Sequence, residues 1–218
     1  MISIRYASIR SMDISNGEGI GVALFVQGCH FKCKGCFNSE TWDFSGGKEW
    51  TEEIKEKFLE LVDRPYIKRV SLLGGECLAE ENLDNVLDLV TEINKRYNTT
   101  QDRVCVTDKN NNILTGFPHE IRLSRPKKSI WLYTGFTWEG IMNYEPIETD
   151  DFDYIEESYL DKINEQRKQI ISQCNVLIDG KYIDSLRDIT LQWKGSRNQR
   201  VINISKSLQK GEIVLWQT

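Results

Sequence analysis

A chain of 218 residues with 39% apolar and 10% aromatic content can build a real core, most simply as one large domain. No apolar stretch approaches the roughly 20 residues of a membrane-spanning helix, and a formal charge of −5 with a pI near 5.3 argues against a broad phosphate-binding surface. A bilayer span and a nucleic-acid partner are therefore not expected. The segment Met1–Arg10 lacks the long apolar run of a secretory signal, which points to a cytoplasmic protein.

Taken in chain order, Val22–Gln27 (VALFVQ) is predicted to be a buried strand that runs straight into a cysteine-rich loop. Thr51–Asp63 is predicted to be a helix, with Ile54, Phe58, Leu59 and Val62 on one face, Glu52 and Glu53 suited to its first turn, and Pro65 past its end. Lys68–Leu73 is a short apolar strand stopping at Gly74-Gly75. Leu83, Val86, Leu87, Val90 and Ile93 recur at helical spacing. Ile130–Thr134 and Asn175–Asp179 are two further strands, and Tyr154–Cys174 contains a polar, helix-prone segment between them.

This alternation predicts an α/β fold with a mostly parallel sheet and a single domain over residues 1–218. Asn98–Ser129 interrupts the pattern as an insertion, in which 103–107 and 113–117 flank a polar turn as a hairpin would. Its basic cluster, Arg122, Arg125, Lys127 and Lys128, is expected to be a solvated loop. Tyr144–Asp161 is strongly acidic and is expected to be exposed. The cysteine loop, Gly74-Gly75-Glu76, Thr134-Gly135 and Asp179-Gly180 each follow a predicted strand. In a parallel sheet these would meet at one edge, where ligands gather.

Of six cysteines, Cys29, Cys33 and Cys36 are clustered in Gly28–Asn38 (GCHFKCKGCFN), while Cys77, Cys105 and Cys174 are scattered and are expected to be buried small hydrophobes. The spacing C-x3-C-x2-C lets three thiolates on one loop each ligate an iron of a cubane cluster. Such clusters usually take four cysteines, so one iron would be left open for a ligand. The competing reading is a zinc-binding module without catalysis. Zinc modules generally use two C-x2-C pairs or nearby histidines, and this chain has only His30, His119 and a single such pair.

The cysteine spacing followed by an aromatic residue resembles the radical S-adenosylmethionine superfamily. Asp13–Gly47 (DISNGEGIGVALFVQGCHFKCKGCFNSETWDFSGG), SLLGGECL, IWLYTGFTWE and VLIDGKYIDSLRDITLQWKGSRNQRVIN together resemble the anaerobic ribonucleoside-triphosphate reductase activating proteins, over nearly all the chain outside Asn98–Ser129 and the acidic loop. The resemblance implies a partial open (β/α) barrel. It implies one 4Fe–4S cluster on Cys29, Cys33 and Cys36, and S-adenosylmethionine, reductively cleaved to a 5′-deoxyadenosyl radical. That radical would take a hydrogen atom from a glycine of the reductase catalytic subunit. A small carrier such as flavodoxin would supply the electron.

Gly35 and Phe37 would lie beside the adenosylmethionine, and Gly74, Gly75 and Glu76 would receive its amino group. Thr134, Gly135 and Asp179 are candidates for its ribose or carboxylate, or for a monovalent cation. On this reading Gly75→Val should block the ligand's approach and leave iron content normal. Cys77 departs from the pattern, which has proline there. An activator of another glycyl-radical enzyme, such as a pyruvate formate-lyase, is the alternative within the same chemistry.

Overall fold

The computed structural model describes residues 5–98, 126–143 and 154–217. Seven strands form one sheet: β1 (Arg5–Asp13), β2 (Gly21–Val26), β3 (Lys48–Glu49), β4 (Arg69–Gly74), β5 (Ser129–Tyr133), β6 (Val176–Asp179) and β7 (Arg200–Asn203). Their order across the sheet is β3-β1-β2-β4-β5-β6-β7. The four central strands, β2, β4, β5 and β6, are parallel, and β1 and β7 flank them antiparallel. The fold is thus mixed α/β with a parallel centre. β3 and β7 stand at opposite ends of the sheet, with no ladder between them among the described residues.

Strand burial follows the two-residue period of a pleated sheet. One face carries Val22, Leu24, Val26, Val70, Leu72, Ile130, Leu132 and Leu177 into the main core. Helices α1 (Glu52–Val62), α2 (Leu83–Ile93), α3 (Trp138–Met142), α4 (Tyr154–Ser172) and α5 (Ile204–Lys210) all add buried side chains to that core. The other face carries Ala23, Phe25 and Leu73, then Trp131, Val176 and Ile178, in two smaller clusters. The helices therefore cover one face, and the second face is free to line a site.

The predicted helices form for the expected reasons. Thr51 caps α1, its hydroxyl oxygen accepting from Ile54 N at 3.3 Å, and Glu52 and Glu53 sit in the first turn. In α2 the buried face is Leu83, Val86, Leu89, Val90 and Ile93, with Leu87 only half-buried. Cys77 and Cys174 are buried in the core as free thiols, as their scatter suggested. Among the described residues no helix is long and apolar enough to cross a membrane.

The basic cluster needs a correction. Lys128 is 1% exposed, and its ammonium donates to the carbonyls of Ile67 at 2.7 Å and Arg64 at 3.0 Å, closing the turn between α1 and β4. Burial pushes its pKa down. Lys127 is exposed, whereas Arg122 and Arg125 lie outside the described residues, as do the predicted hairpin and Cys105. The two ends of the insertion are nonetheless fastened together. The Asn98 side-chain amide donates to Lys128 O at 2.9 Å and accepts from Lys128 N at 3.0 Å. This clasp sits where β5 begins, at the edge opposite the ends of the parallel strands.

Replacing residues 99–127 with a short Gly/Ser linker is therefore expected to preserve the fold and cluster binding, because both clasp residues remain. Circular dichroism and iron content of the shortened chain check this. Loss of both would make the stretch part of the core.

Candidate active site

The parallel strands deliver four loops to one edge. After β2 the chain turns out at Gly28 and is strapped to its own return: Gly28 N donates to Thr41 O at 2.8 Å and Cys29 N to Trp42 O at 3.0 Å. The buried Gln27 amide adds a bond to Asp43 O at 2.7 Å. The loop carrying Cys29, Cys33 and Cys36 is thus closed at its neck. All three are free, half-buried thiols. They open on one cleft of about 560 Å³, which the ends of β4, β5 and β6 also line through Gly74, Gly75, Glu76, Thr134, Gly135 and Gly180. Its floor is the uncovered sheet face, with Phe25, Leu73, Tyr133 and Ile178.

Asn38 N donates to Cys36 Sγ at 3.4 Å. Burial raises the pKa of Cys29 and Cys33, while the backbone of Lys32 and Phe31 acts to lower that of Cys29, as that of Tyr182 does for Cys33. Among the described residues no three His, Cys, Asp or Glu side chains are placed to hold a single metal ion. A cubane asks for something different, since each thiolate binds its own iron. Three free thiols on one closed loop, half-buried and turned to one cleft, fit such a cluster.

Glu76 is 3% exposed and works as a tie. Its Oε1 accepts from Leu78 N at 2.9 Å and Thr134 Oγ1 at 2.7 Å, and its Oε2 accepts from Gly135 N at 2.7 Å. Desolvation pushes its pKa up, and these donors pull it back toward the ionised form. The carboxylate thereby locks the end of β4 to the end of β5. Gly75 is required for a different close approach from the one expected. A Cβ there would overlap the Gly28 carbonyl, so its role in packing is against the neck of the cysteine loop.

Asp179 does not line the cleft. It is 1% exposed, accepting from Trp138 N at 2.8 Å and pairing with Arg200, which also bridges to Glu139 at 2.7 Å. Asp179 therefore holds β6, β7 and α3 together, and its oxygens are already occupied. Phe37 does line the cleft, 56% exposed, its ring 5.2 Å from that of Tyr182. Gly35 is not a lining residue; it packs against Asp184.

Several site residues were not singled out from the sequence. Asn82, buried at the start of α2, donates through one amide nitrogen to Gln27 O at 3.1 Å and Glu76 O at 2.8 Å, joining the ends of β2 and β4. Arg69, 0% exposed, pairs with Asp13 at 2.9 Å and donates to Asn16 O at 2.6 Å. It fixes the turn that brings Ser15 and Asn16 to the cleft. Lys181, Tyr182 and Gln199, from the connection between β6 and β7, line the far wall. For Lys181, Tyr182 and Gln199 the signal was the resemblance over Val176–Asn203, which named a segment and no roles, and Asn82 and Arg69 lie outside every segment that carried the resemblance.

The family model for a 4Fe-4S single cluster domain matches residues 15–115 and 105–202. An anaerobic ribonucleoside-triphosphate reductase-activating protein of Salmonella typhi is 30% identical over 200 residues, covering 91% of this chain and 97% of that protein. The chain belongs to this family. Reductase-activating proteins of the same name from Escherichia coli K12 and Enterobacteria phage T4 are each 29% identical, over 91% of this chain and 97% and 93% of their own lengths. In the family's terms, all three thiols of the loop fall within the first matched stretch of the cluster model, and the far wall of the cleft falls within the second.

Proposed function

We propose that this chain activates an anaerobic ribonucleoside-triphosphate reductase as a radical S-adenosylmethionine enzyme, holding a 4Fe–4S cluster on Cys29, Cys33 and Cys36. The observation that carries the reading is the meeting of three free, half-buried thiols with the ends of β4, β5 and β6 around one cleft. Together, cluster and adenosylmethionine supply one-electron cleavage of a carbon–sulfur bond and a 5′-deoxyadenosyl radical that can take a hydrogen atom.

The protein's share is binding, positioning and exclusion of water. A cleft of about 560 Å³ is in the range that encloses a small organic cofactor. In this reading Gly74 and Gly75 present backbone to the ligand, Glu76 keeps that backbone and Thr134-Gly135 in register, and Phe37 offers an aromatic face. The sheet acts as the wall of a partial open barrel, its uncovered face turned to the reaction. The glycine of the reductase must enter this cleft, since near-attack geometry requires reacting atoms roughly 3–3.5 Å apart. A small carrier such as flavodoxin supplies the electron.

Anaerobic mixing of the iron-loaded chain with adenosylmethionine, a reductant and the reductase is expected to give 5′-deoxyadenosine and a doublet paramagnetic signal on the reductase. Deuterium placed at the target glycine should move into the deoxyadenosine. Cleavage without that signal, accompanied by a glycyl radical on a pyruvate formate-lyase, would reassign the partner and leave the radical chemistry standing.

A further inference from the structure

The cleft has lining that the cofactor reading leaves unused. Its loops and strand ends supply the three thiols, Gly74–Glu76, Thr134 and Gly135, but its floor adds Arg10, Phe25 and Tyr133. Arg10 stands opposite Ala23 in the β1–β2 ladder, whereas β2 runs on to Val26. At about 3.3 Å per residue, that places Arg10 roughly 10 Å down the strand from the cysteine loop. Its guanidinium lies over the Phe25 ring, 4.6 Å from the centroid, and Tyr133 packs against the same small cluster of Ala23, Phe25 and Leu73. One apolar patch on the uncovered face of the sheet thus joins the two polar side chains. β1 also carries an extra residue between Arg10 and Asp13 relative to β2, a bulge of the kind that redirects side chains beside sites.

Both polar groups have hydrogen-bonding capacity that the described residues do not use. Arg10 comes no closer than 3.7 Å to an oxygen of Asp13, beyond hydrogen-bond distance, and its side chain is 54% exposed. Asp13 is already satisfied by Arg69 at 2.9 Å, by Asn16 N at 3.0 Å and by the Asn16 side-chain amide at 2.8 Å. The Tyr133 hydroxyl is buried and has no hydrogen-bond partner among the described residues. A guanidinium only donates, and a buried hydroxyl without a partner is destabilising until an acceptor reaches it. The patch therefore suits a ligand that lays acceptor oxygens over an apolar floor. A peptide backbone is such a ligand, and a glycine, having no side chain, offers little else to hold.

We propose that this patch is the subsite for the glycine-bearing segment of the reductase, with the Arg10 guanidinium and the Tyr133 hydroxyl donating to carbonyl oxygens of that segment. The inference rests on the proposed activation of the reductase. It seats the segment beside the cofactor without taking the strand ends from it. The carboxylate of adenosylmethionine has the same acceptor chemistry, so the test has to separate the two.

The iron-loaded native chain is compared with Arg10→Met and Tyr133→Phe, which keep most of the packing and remove the donors. Iron content, adenosylmethionine affinity by calorimetry, melting temperature, and the dependence of glycyl radical formation on reductase concentration are measured without oxygen. Iron content and cofactor affinity are expected to stay native in both variants. The KM for the reductase should rise about tenfold in Arg10→Met, which loses a charged donor, and about threefold in Tyr133→Phe, which loses a neutral one. Tyr133→Phe should melt no lower than the native chain, because the hydroxyl it loses has no partner in the fold. A native KM in either variant removes that residue from the subsite, and in both overturns the proposal. Loss of cofactor affinity in either would give the patch to adenosylmethionine, and a lower melting temperature in Tyr133→Phe would give the hydroxyl a partner within the chain; each overturns it too. A native chain that cleaves adenosylmethionine and makes no glycyl radical on the reductase would instead overturn the proposed function.

Discussion

Alanine at Cys29, Cys33 or Cys36 is expected to remove nearly all bound iron and all reductive cleavage of adenosylmethionine. A 4Fe–4S cluster holds four irons, about three of them on thiolates here, and with three cysteines in the loop there is no spare ligand to replace a lost one. The remaining described cysteines are too far inside to substitute. Cys77 and Cys174 are buried in the core beside the helices, and burial pushes both thiols well above the range in which a thiolate forms. Cys77→Ala and Cys174→Ala should therefore keep full iron and lose on the order of 1 kcal/mol of stability from the smaller side chain. Iron content and visible absorption after anaerobic reconstitution separate the two groups. Full iron and full cleavage activity in any one of the three loop variants would remove that residue from the ligand set.

The contrast between these cysteines was legible because spacing alone carries it. Three thiols within eight residues, after a continuously apolar strand, can hardly be anything but a site at a strand end. The central strands and the long helices were equally plain, since strands buried on both faces and helices packed on one side leave strong apolar patterns. The edge strands were not. In β1 only Tyr6 and Asp13 are buried among nine residues, so its sequence reads as polar chain, and β7 takes its place by pairing with β6 rather than by apolar content. The same limit applies to the site. Asp179 and Glu76 looked alike as acids next to strand ends, but one is consumed by Arg200 and Trp138 N and the other ties two loops of the cleft. Hydrogen-bond partners from α3 and β7 decide this, and no local pattern encodes them. Lys128 shows the reverse case: a lysine in a basic run that fills a buried turn because two backbone carbonyls there, of Arg64 and Ile67, need it.

Gly75 is where the two views diverge enough to be measured. From the sequence, a side chain there would obstruct only the cofactor. In the fold, Gly75 N donates to Val26 O at 2.9 Å and Glu76 N to Gly28 O at 2.7 Å, so Gly75 lies flat against the residue that precedes Cys29. Gly75→Val would drive its Cβ into the Gly28 carbonyl, and β-branching narrows the rotamers that could relieve it. Relief has to come from backbone movement at Gly28 or Glu76, at a cost of about 1–3 kcal/mol for overpacking. The expected result is a joint loss: iron content well below native, adenosylmethionine binding reduced at least as much, and a lower melting temperature. Thr134→Val provides the comparison, because it removes one donor to Glu76 and leaves Leu78 N and Gly135 N in place. It should keep its iron while weakening cofactor binding modestly. Iron analysis with calorimetry on both variants checks this. If Gly75→Val retains native iron and loses only cofactor affinity, the glycine serves ligand approach and the packing against Gly28 is soft. If it retains both, neither role holds.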